Sequence, residues 1–408
     1  MAKAKPFKAL RFNDKLINDP LQVICPVYDI IDEKKYTYYI NKSPYNIVRL
    51  ESPRGYDRYN NAKNILDSLI NQKVLVKENK DSIYIYEQEF IFDGKKKKLH
   101  GIICLIKVEN FDKQVIFPHE HTLCAPKNDR LNLLKTTKSN FSPIFSLYDD
   151  KDNSTEKKLI PFMKSPPKLE FTDENNVTHR LWIVDNENSI KEICDDFNSR
   201  KLYIADGHHR YETAQKFKAL TGNNYTMMFL ANMNDENLII LPTHRLIKAC
   251  KDFNFNTFFN NCTQYFNVNL LPNKNELQKS LNKVCMCNKH GFGMYFKGNY
   301  FILVLKEDIS LKKVPLECDV SILDELIIKR SLKKDLSNIN NQKDIFYTRD
   351  FSYSIDLVNK NEYDIAFFLN PTPLSQIINV ANANEKMPQK STYFITKVIA
   401  GLTIYKMD

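Results

Sequence analysis

Residues 202–214 read Leu-Tyr-Ile-Ala-Asp-Gly-His-His-Arg-Tyr-Glu-Thr-Ala. The apolar run Leu202–Ala205 is the length of a short strand, and it stops at Asp206-Gly207. Beyond it Tyr211, Ala214 and Phe217, with Leu220 one turn on, repeat at helical spacing. The spacing predicts strand, tight turn, helix. A helix start presents backbone N–H groups and a positive dipole end, which suit an anion. The chain has only 9 glycines in 408 residues, so Gly207 in this turn is not filler. Asp206 can coordinate Mg²⁺ or accept from the histidines. His208 and His209 can donate to phosphoryl oxygens or move protons, and Arg210 offers a bidentate fork for phosphate. Packing needs no such concentration of polar groups.

Outward from this turn, strands and helices alternate. Residues 57–72 carry apolar side chains at i, i+3, i+4 and predict an amphipathic helix. Residues 82–92 and 99–108 predict a hairpin around Asp93-Gly94. A strand at 181–184 and a helix bearing Ile190, Ile193, Cys194 and Phe197 lead into the motif strand, and 225–231 and 238–241 predict two more strands. Past residue 246 come helical patterns at 274–286 and 318–332. They flank a hairpin at 292–305, turned by Lys297-Gly298-Asn299. A strand at 363–369 and a helix around 373–381 follow. The polar stretches 150–158 and 171–178 read as surface loops. This mixed order predicts an α/β (mixed α+β) fold. It divides into an N-terminal α/β region, residues 1–245, that carries the motif and a C-terminal α+β region, residues 246–408, that completes the site.

A net charge of +10 raises the question of nucleic acid, but the lysines are spread along the chain. The one run, Lys95–Lys98, follows the Asp93-Gly94 turn and reads as an exposed hairpin tip. Nine cysteines lack zinc-site spacing and mostly have apolar neighbours, which suits buried, reduced thiols. The N-terminus has no apolar signal core, and no stretch approaches the ~18 apolar residues of a membrane span. A cytoplasmic protein is expected.

Four further clusters carry chemistry. Pro118-His119-Glu120-His121-Thr122 follows an apolar run. Its two histidines can lie on one side of a strand end, as in a metal site, or simply terminate the strand. In Leu241-Pro242-Thr243-His244-Arg245, Thr243 can cap a following helix whose start presents His244 and Arg245 to an anion. Lys390, Ser391 and Thr392 resemble the end of a P-loop without its upstream glycines. Asp29, after Cys25-Pro26-Val27-Tyr28, can be a base, a Mg²⁺ ligand or a turn residue. There is no GxSxG, GxGxxG, HExxH or CxxC pair, which removes hydrolase-elbow, classical dinucleotide, zincin and zinc-ribbon readings.

Taken in order, these segments resemble the domain-of-unknown-function 1015 family. They are Pro6-Phe7, Pro26-Val27-Tyr28-Asp29, Val48-Arg49-Leu50, Pro118-His119-Glu120, Asp129-Arg130-Leu131, Ser142-Pro143-Ile144-Phe145, the Asp-Gly-His-His-Arg motif, Leu241–Arg245 and Met387–Phe394. Val27 departs from a second proline common in the family. The motif is also similar to that of the ParB/sulfiredoxin-fold free serine kinases. The resemblance implies a ParB/sulfiredoxin-like phosphate-binding core with large added N- and C-terminal elements. It implies phosphoryl transfer from inorganic pyrophosphate or a nucleotide to free L-serine, giving O-phospho-L-serine, with Mg²⁺. In that picture Gly207, His208, His209, Arg210, His244, Arg245, Lys390, Ser391 and Thr392 contact the donor, and Asp206 or Asp29 holds the metal. His208 also takes part in catalysis. Glu120 or Asp29 takes the hydroxyl proton, and Tyr28, His119, Thr122 and Arg130 bind the acceptor. The expected partners are L-serine with pyrophosphate or ATP/ADP, with a homodimer left open and neither nucleic acid nor membrane. A non-catalytic nucleotide- or phosphate-binding regulator of ParB type and a metal-dependent hydrolase are the alternatives.

Overall fold

The computed structural model describes residues 1–249, 253–309, 318–334 and 344–407. The chain forms two compact units. One comprises Met1–Pro118, Thr122–Ile239 and Thr396–Asp408, and the other His119–His121 with Ile240–Ile395. This differs from a simple cut at 245/246. The strand His244–Ile247 lies between Ile345–Thr348 and Ile365–Phe368 in the second unit's sheet. The last residues return to the first unit, where Ile404 bridges Leu10 and Ala400 bridges Cys25.

The first unit is built on a mixed, nine-stranded sheet. Across it the order is Ile116–Phe117, Leu202–Asp206, Ile144–Tyr148, Tyr225–Asn232, Lys95–Lys107, Ile83–Phe92, Thr178–Val184 and Leu169–Thr172, with Ala4–Lys5 beside Lys95–Lys107. The expected hairpin forms with a two-residue turn. Asp93 and Gly94 both take positive φ (48° and 69°), the conformation that matches the twist of the paired strands. Lys95–Lys98 begin the returning strand, where Lys96 and Lys98 pair with Glu89. The core packs Ile85, Ile102, Ile106, Phe197, Tyr211, Met228 and Leu230, all but removed from solvent. The helix Arg58–Asn71 matches its expected span.

The motif stretch folds as its spacing predicts. The strand Leu202–Asp206 runs parallel to Ile116–Phe117 and antiparallel to Ile144–Tyr148. Its register against 144–148 slips between Ile204 and Asp206, a bulge that re-aims the strand end carrying Asp206. After Gly207 the helix His208–Thr221 buries Tyr211, Ala214 and Phe217 and stops at Gly222 (φ 77°). The Tyr211 hydroxyl donates to the Glu109 carbonyl at 2.8 Å and accepts the Glu109 N–H at 3.0 Å, which anchors the helix.

The second unit holds a six-stranded sheet in the order Phe266–Leu271, Asn299–Leu305, Gly291–Phe296, Ile365–Phe368, His244–Ile247, Ile345–Thr348. Two expectations change. Residues 243–247 are not a helix start but a strand buried on both faces, which lacks the alternation that marks half-buried strands. Residues 150–158 are not all loop: Ser154–Met163 is a helix, its first N–H groups accepted by Asp150 and its inner face made by Thr155 and Leu159. The helical pattern at 318–332 begins as α-helix, Asp319–Ile322, and continues as π-helix, Leu323–Ser331.

Candidate phosphate-binding turn

Gly207 sits at the N-cap of the motif helix with φ 95° and supplies no capping side chain. A Cβ there would lie 2.9 Å from the Arg210 guanidinium, and the positive φ strains any other residue, so the backbone angle calls for glycine. Arg210 packs over the turn with its fork directed inward. Nη2 donates to Asp206 Oδ2 at 2.8 Å, and Nη1 donates to Ser142 Oγ at 3.0 Å and to the Pro143 carbonyl at 2.7 Å. Both arms of the Arg210 fork thus brace the turn itself. The other Asp206 oxygen receives Lys397 Nζ. Burial alone would raise the Asp206 pKa, but Lys397 and Arg210 overcome it and hold the carboxyl well below the usual range.

Around this ion triad lie groups from distant parts of the chain. Glu51, 3% exposed at the end of Val48–Glu51, accepts the Ser142 hydroxyl at 2.9 Å and the Tyr28 N–H at 3.2 Å. Burial raises its pKa despite the nearby Arg130 and Arg210. Asp29 adds a third carboxylate to the field at Arg210. Arg130 donates to the Glu51 carbonyl and to Asp129, and its guanidinium lies 4.2 Å from the centre of the Tyr28 ring. Tyr28, Asp29 and Arg130, widely spaced in sequence, thus gather at the motif turn. Thr122 instead serves the outer side of the helix. Its hydroxyl donates to Glu212 at 2.8 Å, as does Lys127 Nζ. His209 Nε2 accepts the Leu123 N–H at 2.9 Å, a role filled by a neutral ring protonated on Nδ1. His208 is buried on the same helix, and its ring lowers the Asp206 pKa further.

The second unit contains its own cluster. Residues 119–121 lie alongside Met387: Glu120 and Met387 form a parallel bridge, the Met387 N–H donates to the His119 carbonyl at 2.7 Å, and the His121 N–H donates to the Met387 carbonyl at 3.2 Å. This brings His119 Nε2 to 3.0 Å from Thr392 Oγ1, and Glu120 Oε1 accepts the Lys390 N–H at 2.7 Å. Lys390 has φ 58°, and Ser391 Oγ closes the turn onto the Pro388 carbonyl. The His-Glu-His and Lys-Ser-Thr segments, some 270 residues apart, form one cluster. His244 and Arg245 have different surroundings. The His244 ring packs edge-on to Phe351 and Phe368 (centroids 5.6 and 5.1 Å), and burial pushes its pKa down to about 4. Arg245, 1% exposed, is ion-paired with Asp324 of the π-helix. Both side chains are committed to the interior of the unit.

Glu51, Ser142, Lys397 and Glu212 were not assigned roles by their sequence. Ser142 and Glu51 lie in or beside family-like segments, Ser142-Pro143 and Val48-Arg49-Leu50, which was the available signal. Lys397 had none: it comes five residues after Thr392 and reaches Asp206 only through the return of the chain end. No group of three or more His, Cys, Asp or Glu fit to hold a metal occurs among the described residues. His119 is buried while His121 is exposed. Asp206 does not fit a resident Mg²⁺ ligand either, since both its oxygens are engaged by cations.

The mixed α/β fold and the Asp-Gly-His-His-Arg turn define the class to which the chain is compared. The chain belongs to a protein family of unknown function, DUF1015, whose model matches residues 4–326. Among solved structures it is similar to a free serine kinase in complex with AMP, at 10% identity over 75% of this chain and 91% of that one, with a TM-score of 0.42. A conserved hypothetical protein from Pyrococcus furiosus is similar at 12% identity over 75% and 95%, with a TM-score of 0.38. SbnI from Staphylococcus aureus, with a C-terminal truncation, is similar at 11% identity over 74% and 86%, with a TM-score of 0.39. No curated protein matches the chain. No helix among the described residues is long and apolar enough to cross a membrane.

Proposed function

We propose that the protein is a kinase of free L-serine, transferring a phosphoryl group from inorganic pyrophosphate or a nucleotide to the serine hydroxyl. The observation that carries this reading is the turn at 206–210. A half-buried carboxylate paired with Lys397 and Arg210 braces a glycine-opened helix start. Phosphoryl transfer asks mainly for positioning and for neutralisation of charge on the donor, and a braced helix N-terminus supplies both without reorganisation. The similarity of the motif to that of free serine kinases supports serine as acceptor.

In this mechanism the turn backbone and His208 bind the donor phosphates, with Arg210, Asp206 and Lys397 keeping the turn in shape. Glu120 or Asp29 is the proposed proton acceptor, as the resemblance of their segments implies. The serine oxygen attacks the terminal phosphorus, its proton passes to that carboxylate, and the bond to the leaving phosphate or nucleoside diphosphate breaks. Purified protein incubated with serine and Mg²⁺-pyrophosphate or Mg²⁺-ATP should form O-phosphoserine, detected by ³¹P NMR. No product from any such donor across a panel of hydroxy amino acids would refute the kinase reading.

A further inference from the structure

We propose that Glu51 is a positioning residue for the 206–210 turn, acting through Ser142 on Arg210, and that the charge on its carboxyl sets how strongly the turn attracts an anion. The inference rests on the reading of that turn as a phosphate site and extends it to a side chain remote in sequence.

The Ser142 hydroxyl has one proton to give and lone pairs to receive. Its proton goes to Glu51 Oε1 at 2.9 Å, so a lone pair is left to accept Arg210 Nη1 at 3.0 Å. Glu51 thereby orients the hydroxyl, the hydroxyl holds one arm of the fork, and the other arm holds Asp206. The carboxyl also accepts the Tyr28 N–H, so one oxygen ties the segment before Asp29 to the same brace. Nothing about this connection is local: residues 28, 51, 142 and 206–210 come from four separate stretches.

The charges around Arg210 then decide what Glu51 does. Three carboxyls face it: Asp206, Glu51 and Asp29. Asp206 is locked in its ionised form by Lys397 and Arg210. The Glu51 carboxyl accepts from the Ser142 hydroxyl and the Tyr28 N–H. Arg130 bonds its backbone carbonyl, and Arg210 reaches it only through Ser142. Tyr28 and Cys25 lie close by, and both keep their protons, since burial raises each of them. Burial also raises Glu51. Burial thus makes the Glu51 charge costly while that of Asp206 is held by two cations, and an arriving phosphate, which adds negative charge to the same turn, favours protonation of Glu51.

The test is pyrophosphate binding by isothermal titration calorimetry from pH 5.5 to 8, with the wild-type protein and Glu51→Gln. Glutamine keeps an acceptor oxygen for Ser142 and Tyr28 and removes only the charge. The expected result is that Glu51→Gln binds pyrophosphate several-fold more tightly than wild type at pH 8. The two should converge at acid pH, and wild type alone should take up a solvent proton onto this carboxyl on binding. Titration of pyrophosphate itself is common to both proteins and cancels, and an Asp29→Asn background should leave the difference in place. Ser142→Ala, which cuts the connection, should bind about ten-fold more weakly at every pH while keeping its far-UV circular dichroism. Superimposable pH profiles for wild type and Glu51→Gln would overturn the proposal, as would weaker binding by Glu51→Gln throughout, the mark of a purely structural role. The pH difference without phosphoserine formation would uphold the Glu51 assignment and remove the kinase reading. Phosphoserine formation with superimposable profiles would do the reverse, and a wild-type protein that binds neither pyrophosphate nor ATP would remove both.

Discussion

Asp206 and Glu51 are two carboxyls of one network that respond oppositely to pH. The folded-state pKa of Asp206 is depressed, so its contribution to stability is present above the unfolded value near 4 and is lost as pH falls below it. That of Glu51 is raised, so its contribution is present in acid and is lost as pH rises through the folded value. Lys397→Met leaves Asp206 with Arg210 alone and should lower stability at pH 7 by about 1–3 kcal/mol. In urea titrations this gap should persist through pH 5 and narrow only as pH falls well below 4, toward the depressed folded value at which Asp206 takes up a proton and no longer needs Lys397. Parallel wild-type and variant stabilities across that range would show that the ion pair has no such role. Of these residues only Asp206 was legible beforehand, because it stands beside Gly207 at a predicted strand end. Lys397 and Glu51 have ordinary neighbours and acquire meaning only from tertiary packing.

The strand–turn–helix element at 202–221 could be read from its sequence because each local signal agrees. A short apolar run, a glycine required at positive φ and a helical repeat point the same way. The Asp93-Gly94 hairpin was legible for the same reason. The strand His244–Ile247 was not, since Pro242-Thr243 mimics a helix cap and a strand covered on both faces has no alternation. Its burial has a measurable consequence. With a folded pKa near 4 against about 6.5 unfolded, His244 resists protonation in the native state, so stability falls as pH drops from 6.5 to 4. The shift is worth about 3 kcal/mol. His244→Phe, placed among Phe351 and Phe368, should remove most of this acid sensitivity in circular-dichroism unfolding curves. Wild-type acid sensitivity in that variant would assign the effect to other groups.

Across the whole chain, mixed α/β architecture was legible from the order of elements, and the family from its ordered motifs. Chain routing was not. Placement of 119–121 in the second unit and of residues after 395 in the first depends on long-range bridges such as Glu120 to Met387 and Leu10 to Ile404, which leave no periodic trace. Routing nonetheless delivers Lys397 to Asp206 and completes the brace on which the functional reading depends. That reading makes the 206–210 turn the seat of the phosphoryl donor. A crystal structure of the protein soaked with pyrophosphate or ADP tests this most directly. The account predicts phosphate oxygens against the backbone of Gly207–Arg210 and the His208 ring, with the Asp206–Lys397 and Asp206–Arg210 pairs intact. Phosphate bound elsewhere, with the turn empty, would contradict it.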